Sequence, residues 1–163
     1  MLKPQSLRRA IETALPDIAA NPDRLILYID QGSIEHRAGA SLSFEYRYRL
    51  NVILTDYAGH ASAAVVPMLS WLRINQPEIA LNPDLGERAF AFEAEILTHS
   101  TMDLAFQLLL TERVIVTEDA ATGAVTATHV GEPSLDDPEI DWALVFVKPE
   151  SAPSWTDLDP APV

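Results

Sequence analysis

Cysteine is missing from this chain of 163 residues. That excludes a disulfide framework, a thiolate nucleophile and any zinc or iron–sulfur site held by thiolates, and it fits a reducing compartment. Glycine is scarce, with 6 residues. None falls into G-x-G-x-x-G or G-x-x-x-x-G-K, so no loop is a candidate for cradling phosphate. Bases are outnumbered: 11 Lys and Arg stand against 24 Asp and Glu, a net charge of −13. Nucleic-acid affinity comes largely from Lys and Arg neutralising phosphates, so a direct grip on DNA is disfavoured. The same charge suits a surface past which DNA slides without sticking. Long apolar runs are absent too. Nothing approaches the ~20 residues needed to span a bilayer, and the opening MLKPQSLRRAIETALP carries no apolar stretch of signal-peptide length. The expected location during synthesis is the cytoplasm.

Histidine and serine chemistry is equally thin. His36, His60, His99 and His129 share no i, i+4 spacing and no HExxH-like setting, so no metal site is expected. There is no G-x-S-x-G elbow. Glu93 and Glu95 project from one face of a strand, where a carboxylate pair can do acid–base work. On an exposed strand face such a pair is far more often a solvated stripe. No cofactor is expected, and the chain is read as a non-enzyme.

What is there is periodicity. Pro4 to Ala20 carries Leu7, Ile11, Leu15 and Ile18 at helical spacing, with Pro16 placed to kink or end the helix. Arg24 to Ile29 is a short apolar run, followed by a predicted turn over Asp30 to Ser33 and a small-residue loop over Ala38 to Ser41. Phe44 to Leu54 alternates strictly, with Phe44, Tyr46, Tyr48, Leu50, Val52 and Leu54 against Glu45, Arg47, Arg49, Asn51 and Ile53. At about 3.3 Å per residue such a strand spans ~36 Å, longer than most. His60 to Asn75 turns helical, with the expected buried stripe Ala61, Val65, Leu69 and Leu72. Pro67 lies inside it, either kinking the helix or opening its regular part.

Two further alternating runs follow. In Arg88 to Leu97, Phe90, Phe92, Ala94 and Ile96 oppose Ala91, Glu93 and Glu95. In Asp103 to Thr117, Leu104, Phe106, Leu108, Leu110, Val114 and Val116 oppose Gln107, Thr111, Arg113 and Thr117. Ala121 to Gly123 turns into a short last strand over Ala124 to Val130. The order predicts an α+β domain over residues 1–130, a mainly antiparallel or mixed sheet packed against two helices. Residues 131–163 form a separate acidic, proline-rich arm. From Gly131 onward there are eight acids against Lys148, with six of the 12 prolines, a composition that builds no core of its own. The apolar island Trp142 to Val147 makes this segment either an extended arm with one adhesive patch, centred on Trp142 and Phe146, or a disordered tail.

Taken in order, several pieces carry a family resemblance. They are Leu2-Lys-Pro-Gln-Ser-Leu-Arg-Arg-Ala10, Asn21-Pro-Asp23, Gly32-Ser-Ile34, Ala40-Ser-Leu-Ser-Phe-Glu45 and Tyr48-Arg-Leu-Asn-Val-Ile-Leu-Thr-Asp56. Val66-Pro-Met-Leu-Ser-Trp-Leu-Arg73, Asn75-Gln-Pro77 and Leu110-Thr-Glu-Arg113 complete the series. The chain resembles the tail completion protein R family of contractile-tailed temperate phages. The resemblance runs to about Val130; the acidic segment beyond does not look like shared family sequence. It implies a non-enzymatic virion role at the head-proximal end of the tail, ending tube growth and preparing head–tail joining. By analogy with tail terminators it implies a homo-oligomeric, hexameric ring that contacts the tail tube, sheath and neck while DNA only passes through the lumen. A monomeric assembly adaptor or chaperone, absent from the finished particle, is the alternative.

Charged strand faces supply the candidate contacts. Glu45, Arg47 and Arg49 share one face, Glu93 and Glu95 another, and Arg113 lies on the strand that follows. They are either cross-strand pairs inside one domain or inter-subunit pairs that fix register around a ring. Trp71, with Arg73 two residues on, is either a core anchor or an interface residue, where Trp and Arg are enriched.

Overall fold

The computed structural model describes residues 1–36, 39, 41–82 and 88–133. Trp142, Phe146 and the rest of the acidic arm, with most of the small-residue loop before Ser41, lie outside the described residues.

Helix α1 (Lys3–Ala14) breaks at Leu15, whose ψ of 88° leaves the helical region just ahead of Pro16. The residue before a proline is pushed out of helical conformation, and Pro16 opens the short α2 (Pro16–Ala20). Leu7, Ile11, Leu15 and Ile18 are all buried, as their spacing predicts. Strand β1 (Leu25–His36) pairs with β2 (Phe44–Tyr57), and β2 pairs with β4 (Met102–Glu118). On its other edge β4 takes β3 (Phe90–Ile96) and then β5 (Val125–His129). Every pairing is antiparallel, in the order β1-β2-β4-β3 with β5 beside β4. Helices α1 and α3 (Ala61–Asn75) cover one face of this sheet, making an α+β fold; α4 (Pro77–Leu81) follows at once, opened by its proline.

The predicted turn over Asp30 to Ser33 is not there. The strand runs on to His36 past a one-residue bulge, since Ile29 faces Leu50 and Gln31 faces Arg49, leaving Asp30 unpaired. A bulge shifts every later side chain to the other face. Leu25, Leu27 and Ile29 point to the helices before it, and Gly32, Ile34 and His36 after it, so the alternation breaks and the polar stretch reads as a turn. A second irregularity lies between Leu54 and Tyr57, where Asp56 takes a left-handed φ of 51°. Arg24 holds this bend: its Nε donates to Thr55 O at 2.9 Å, its Nη2 to Asp56 O, and its Nη1 meets Asp17 at 2.8 Å.

The stripe on α3 also needs correction. Ala64, Met68, Trp71 and Leu72 are the buried residues, while Leu69 is 50 % exposed. Pro67 neither starts nor ends the helix but sits within it. Burial of Ala64, Met68, Trp71 and Leu72 on the same helix offsets the missing hydrogen bond. His60 supplies the N-cap, its Nδ1 accepting from Ser62 N at 3.1 Å.

Candidate subunit interface

Strict alternation gives β2 and β4 two unlike faces. Even-numbered residues meet the helices, and Tyr48, Leu50, Val52 and Leu54 are buried against Leu104, Phe106, Leu108 and Leu110. Odd-numbered residues form the open face, and the charged candidates collect there. Arg47 Nε lies 2.9 Å from Glu45 on its own strand and 3.2 Å from Glu35 on β1. Both contacts are well exposed, so each is worth no more than ~1 kcal/mol. Glu45 stands opposite Arg113 in the register. Arg49, Glu93 and Glu95 make no ion pair among the described residues. Glu93 and Glu95 sit on β3 opposite Ala105 and Asp103. The open face thus brings Glu45, Arg47, Arg49, Arg113, Glu93 and Glu95 onto one surface.

At its centre is Asn51, only 5 % exposed. It is flanked by Tyr28 on β1 and Gln107 on β4. Its Nδ2 has no hydrogen-bond partner among the described residues. A buried amide left unsatisfied costs about 1–3 kcal/mol.

Trp71 is placed elsewhere. It is buried at the α1–α3 seam, and its indole N–H donates to Ser6 Oγ at 3.0 Å. Arg73 is exposed two residues further along the same helix.

The least anticipated feature is Glu112, a carboxylate on the helix-covered face with 4 % exposure. Its oxygens accept from Leu2 N at 2.7 Å and Lys3 N at 3.3 Å, and from the Tyr48 hydroxyl. These amides open α1, whose N-cap position has no side-chain cap of its own, so Glu112 supplies the cap from across the sheet. Burial pushes its carboxyl upward, but the Tyr48 hydrogen bond, the two amides and the N-terminal charge outweigh burial and hold it below the usual glutamate range. The Tyr48 phenol is driven far up by burial and by its anionic acceptor. His129 Nδ1 lies 3.1 Å from the second carboxylate oxygen, without the alignment of a hydrogen bond. Beside this cap, Lys3 Nζ donates to Gln76 at 2.7 Å and to Glu132 at 3.0 Å.

Gln76 solves a further problem. Among the described residues β3 and β5 leave the β4 edge unpaired from Leu109 to Glu112, before Val130 N donates to Arg113 O at 3.0 Å. There Gln76 Oε1 accepts from Thr111 N at 3.1 Å and its Nε2 donates to Thr111 Oγ1 at 2.9 Å. The side-chain amide stands in for a missing strand. A cleft of about 420 Å³ opens beside it, lined by Arg47, Gln76, Glu78, Ile79 and Thr111 among others. No Ser, His or metal-ligating cluster lies in that lining, and among the described residues no three His, Asp or Glu gather to hold a metal. Glu112 is a buried anion held by three donors. The arrangement can brace a subunit and present charge. The capping role of Glu112 escaped the sequence reading because its donors are remote in the chain, two of them over a hundred residues away and Tyr48 64 residues away. Its one signal was an acid at a position where the alternation calls for an apolar residue.

Comparison with known proteins agrees in extent. A family model described as P2 phage tail completion protein R (GpR) matches residues 1–133. Tail completion protein R of Escherichia phage P2 is 40 % identical over 157 residues, covering 96 % of this chain and 100 % of that protein. The family model ends at residue 133, close to where the resemblance ends near Val130, while the alignment with the P2 protein continues past it. No solved structure matches the chain.

Proposed function

The chain belongs to the P2 phage tail completion protein R family, and on that footing we propose that it completes the phage tail as a structural protein without enzymatic activity. It acts at the head-proximal end of a contractile tail, assembles in the host cytoplasm, ends growth of the tube and prepares it for head joining. Its working form is a ring, hexameric by analogy with tail terminators, seated against tube, sheath and neck proteins while DNA passes through.

The observation that carries this reading is the whole-length match to a protein named for tail completion. The open sheet face supports the ring, because a row of charges with few internal partners suits contacts that fix register between copies. The net charge of −13 suits a lumen that must not bind its cargo. Among the described residues no helix is long and apolar enough to cross a membrane.

Electron micrographs of particles made without this protein provide the test. Overlong tails or tails lacking heads are expected, and normal infective particles would overturn the reading. Mass spectrometry of purified particles separates a virion component from an assembly adaptor, which would be absent from them.

A further inference from the structure

Four strands in the path β1-β2-β4-β3, each antiparallel to the next, leave the outermost two running in opposite directions. Among the described residues neither β1 nor β3 has a partner on its outer edge. Rows of unpaired backbone donors and acceptors of this kind are templates for another strand. A ring is generated by rotation, which keeps strand sense from copy to copy. β3 of one copy therefore meets β1 of the next antiparallel, the pairing already used throughout this sheet. A three- or five-strand path would have brought parallel edges together instead.

Side chains on both faces agree with that junction. On the open face β3 presents Glu93 and Glu95, which have no ion pair among the described residues. Arg49, equally without one, lies a single strand in from the β1 edge and faces it across Gln31. Arg47 shows that such an arginine reaches the edge strand, for it contacts Glu35 on β1 at 3.2 Å. On the helix-side face Phe92 is 65 % and Ile96 78 % exposed on β3, and Ile34 is 65 % exposed on β1. One exposed apolar residue asks for no explanation. Here they stand on the two edges that a single junction would join. The bulge at Asp30 separates Leu25–Ile29 from the later tract that carries both Gln31 and Ile34, the tract beside Arg49.

We propose that β3 of one copy pairs antiparallel with the Gln31–His36 tract of β1 in the next, so that one sheet continues around the ring. Acid from Glu93 and Glu95 meets Arg49 on the open face, while Phe92 and Ile96 pack near Ile34 on the other. This rests on the ring reading above.

Charge reversal with mixing tests it, read by light scattering and native mass spectrometry on the full chain. Wild type associates. Glu93→Arg with Glu95→Arg spoils the β3 edge, and Arg49→Glu spoils the β1 edge, so each chain alone loses at least tenfold of its oligomer signal. A one-to-one mixture of the two recovers it, because each spoiled edge meets its complement, and that recovery also shows both chains folded. Phe92→Lys, which acts from the opposite face, lowers association by a similar factor. If wild type associates and neither reversal changes it, the junction is wrong while the ring stands. A reversal at Arg49 alone that dissociates the protein, with no effect at Glu93 and Glu95, indicates a symmetric β1–β1 contact and overturns the proposal. Wild type that stays monomeric at high concentration and on isolated tubes overturns the ring and this junction together.

Discussion

On the helix-covered face of β2 and β4, Leu50, Val52, Leu54, Leu104, Phe106 and Leu108 are buried, and the one charge among them, Glu112, is matched by donors from α1 and Tyr48. On the open face of the same strands Arg49 has no ionic partner and Asn51 Nδ2 no acceptor among the described residues. Backbone, register and neighbours are shared, so the difference lies in the side chains alone. Saturated polar groups stabilise one subunit, whereas unsatisfied ones leave interaction energy to be collected from something else. The covered face accordingly carries stability, and on the proposed reading the open face is the one left for assembly.

The largest effect belongs to the covered face. Phe106 is 1 % exposed and stacks near Phe90, with ring centroids 6.0 Å apart. Phe106→Ala is expected to cost about 3–5 kcal/mol, the transfer term plus the cavity. The melting temperature then falls by roughly 10 °C or more. A drop of only a degree or two, measured by circular dichroism, would mean that this face is not the core.

Glu112 comes next. Glu112→Ala strands the Tyr48 hydroxyl and two helix-opening amides, at about 3 kcal/mol. The same group predicts a pH dependence. Its folded-state pKa lies below its unfolded one, so its stabilisation is complete above the ordinary glutamate pKa of about 4.3. It is lost as pH falls further, through the depressed folded value. Wild type should melt progressively lower from about pH 5 to pH 3, and Glu112→Gln should show a flatter slope over that window. Equal slopes would move the acid sensitivity to other carboxylates.

These residues also mark how far the sequence was readable. β2 and β4 were legible because a period of two over a long run admits one reading, and the covered face followed directly. β1 was truncated because the bulge at Asp30 reverses its period midway. The α3 stripe was misassigned because its apolar residues surround the helix, and only the angle at which it lies on the sheet selects Met68 over Leu69. On β3 the alternation was read correctly, but no local pattern announces that Phe92 and Ile96 extend past the helices. The shared side of the charged candidates on β2, β3 and β4 was readable, since side is fixed by parity. Glu112 and Gln76 were missed, because contacts of high sequence separation leave no periodic trace.

Trp71 tests the seam between the helices at smaller scale. Trp71→Phe keeps most of the apolar body and removes the hydrogen bond to Ser6, for about 1 kcal/mol with some added loss of packing. The melting temperature should fall by a few degrees while association stays unchanged. Altered association at normal stability would shift Trp71 from the covered face's role to the open face's.

Asn51 sharpens the comparison most, because the expected stability change is near zero and its sign carries the information. If its Nδ2 goes unsatisfied in the isolated subunit, as its surroundings indicate, then Asn51→Val removes a buried, unpaired polar group and installs a better strand former. Both changes favour the folded subunit, so the melting temperature should hold or rise by the equivalent of up to about 1 kcal/mol. The gain arises on the monomer only. If a neighbouring copy supplies the missing acceptor, the same substitution weakens association and the yield of completed tails. A variant more stable as a monomer yet poorer in assembly would separate the two faces within a single residue. A fall of several degrees in melting temperature would instead show that the amide is engaged inside the subunit, and the open face would then be less incomplete than its charges suggest.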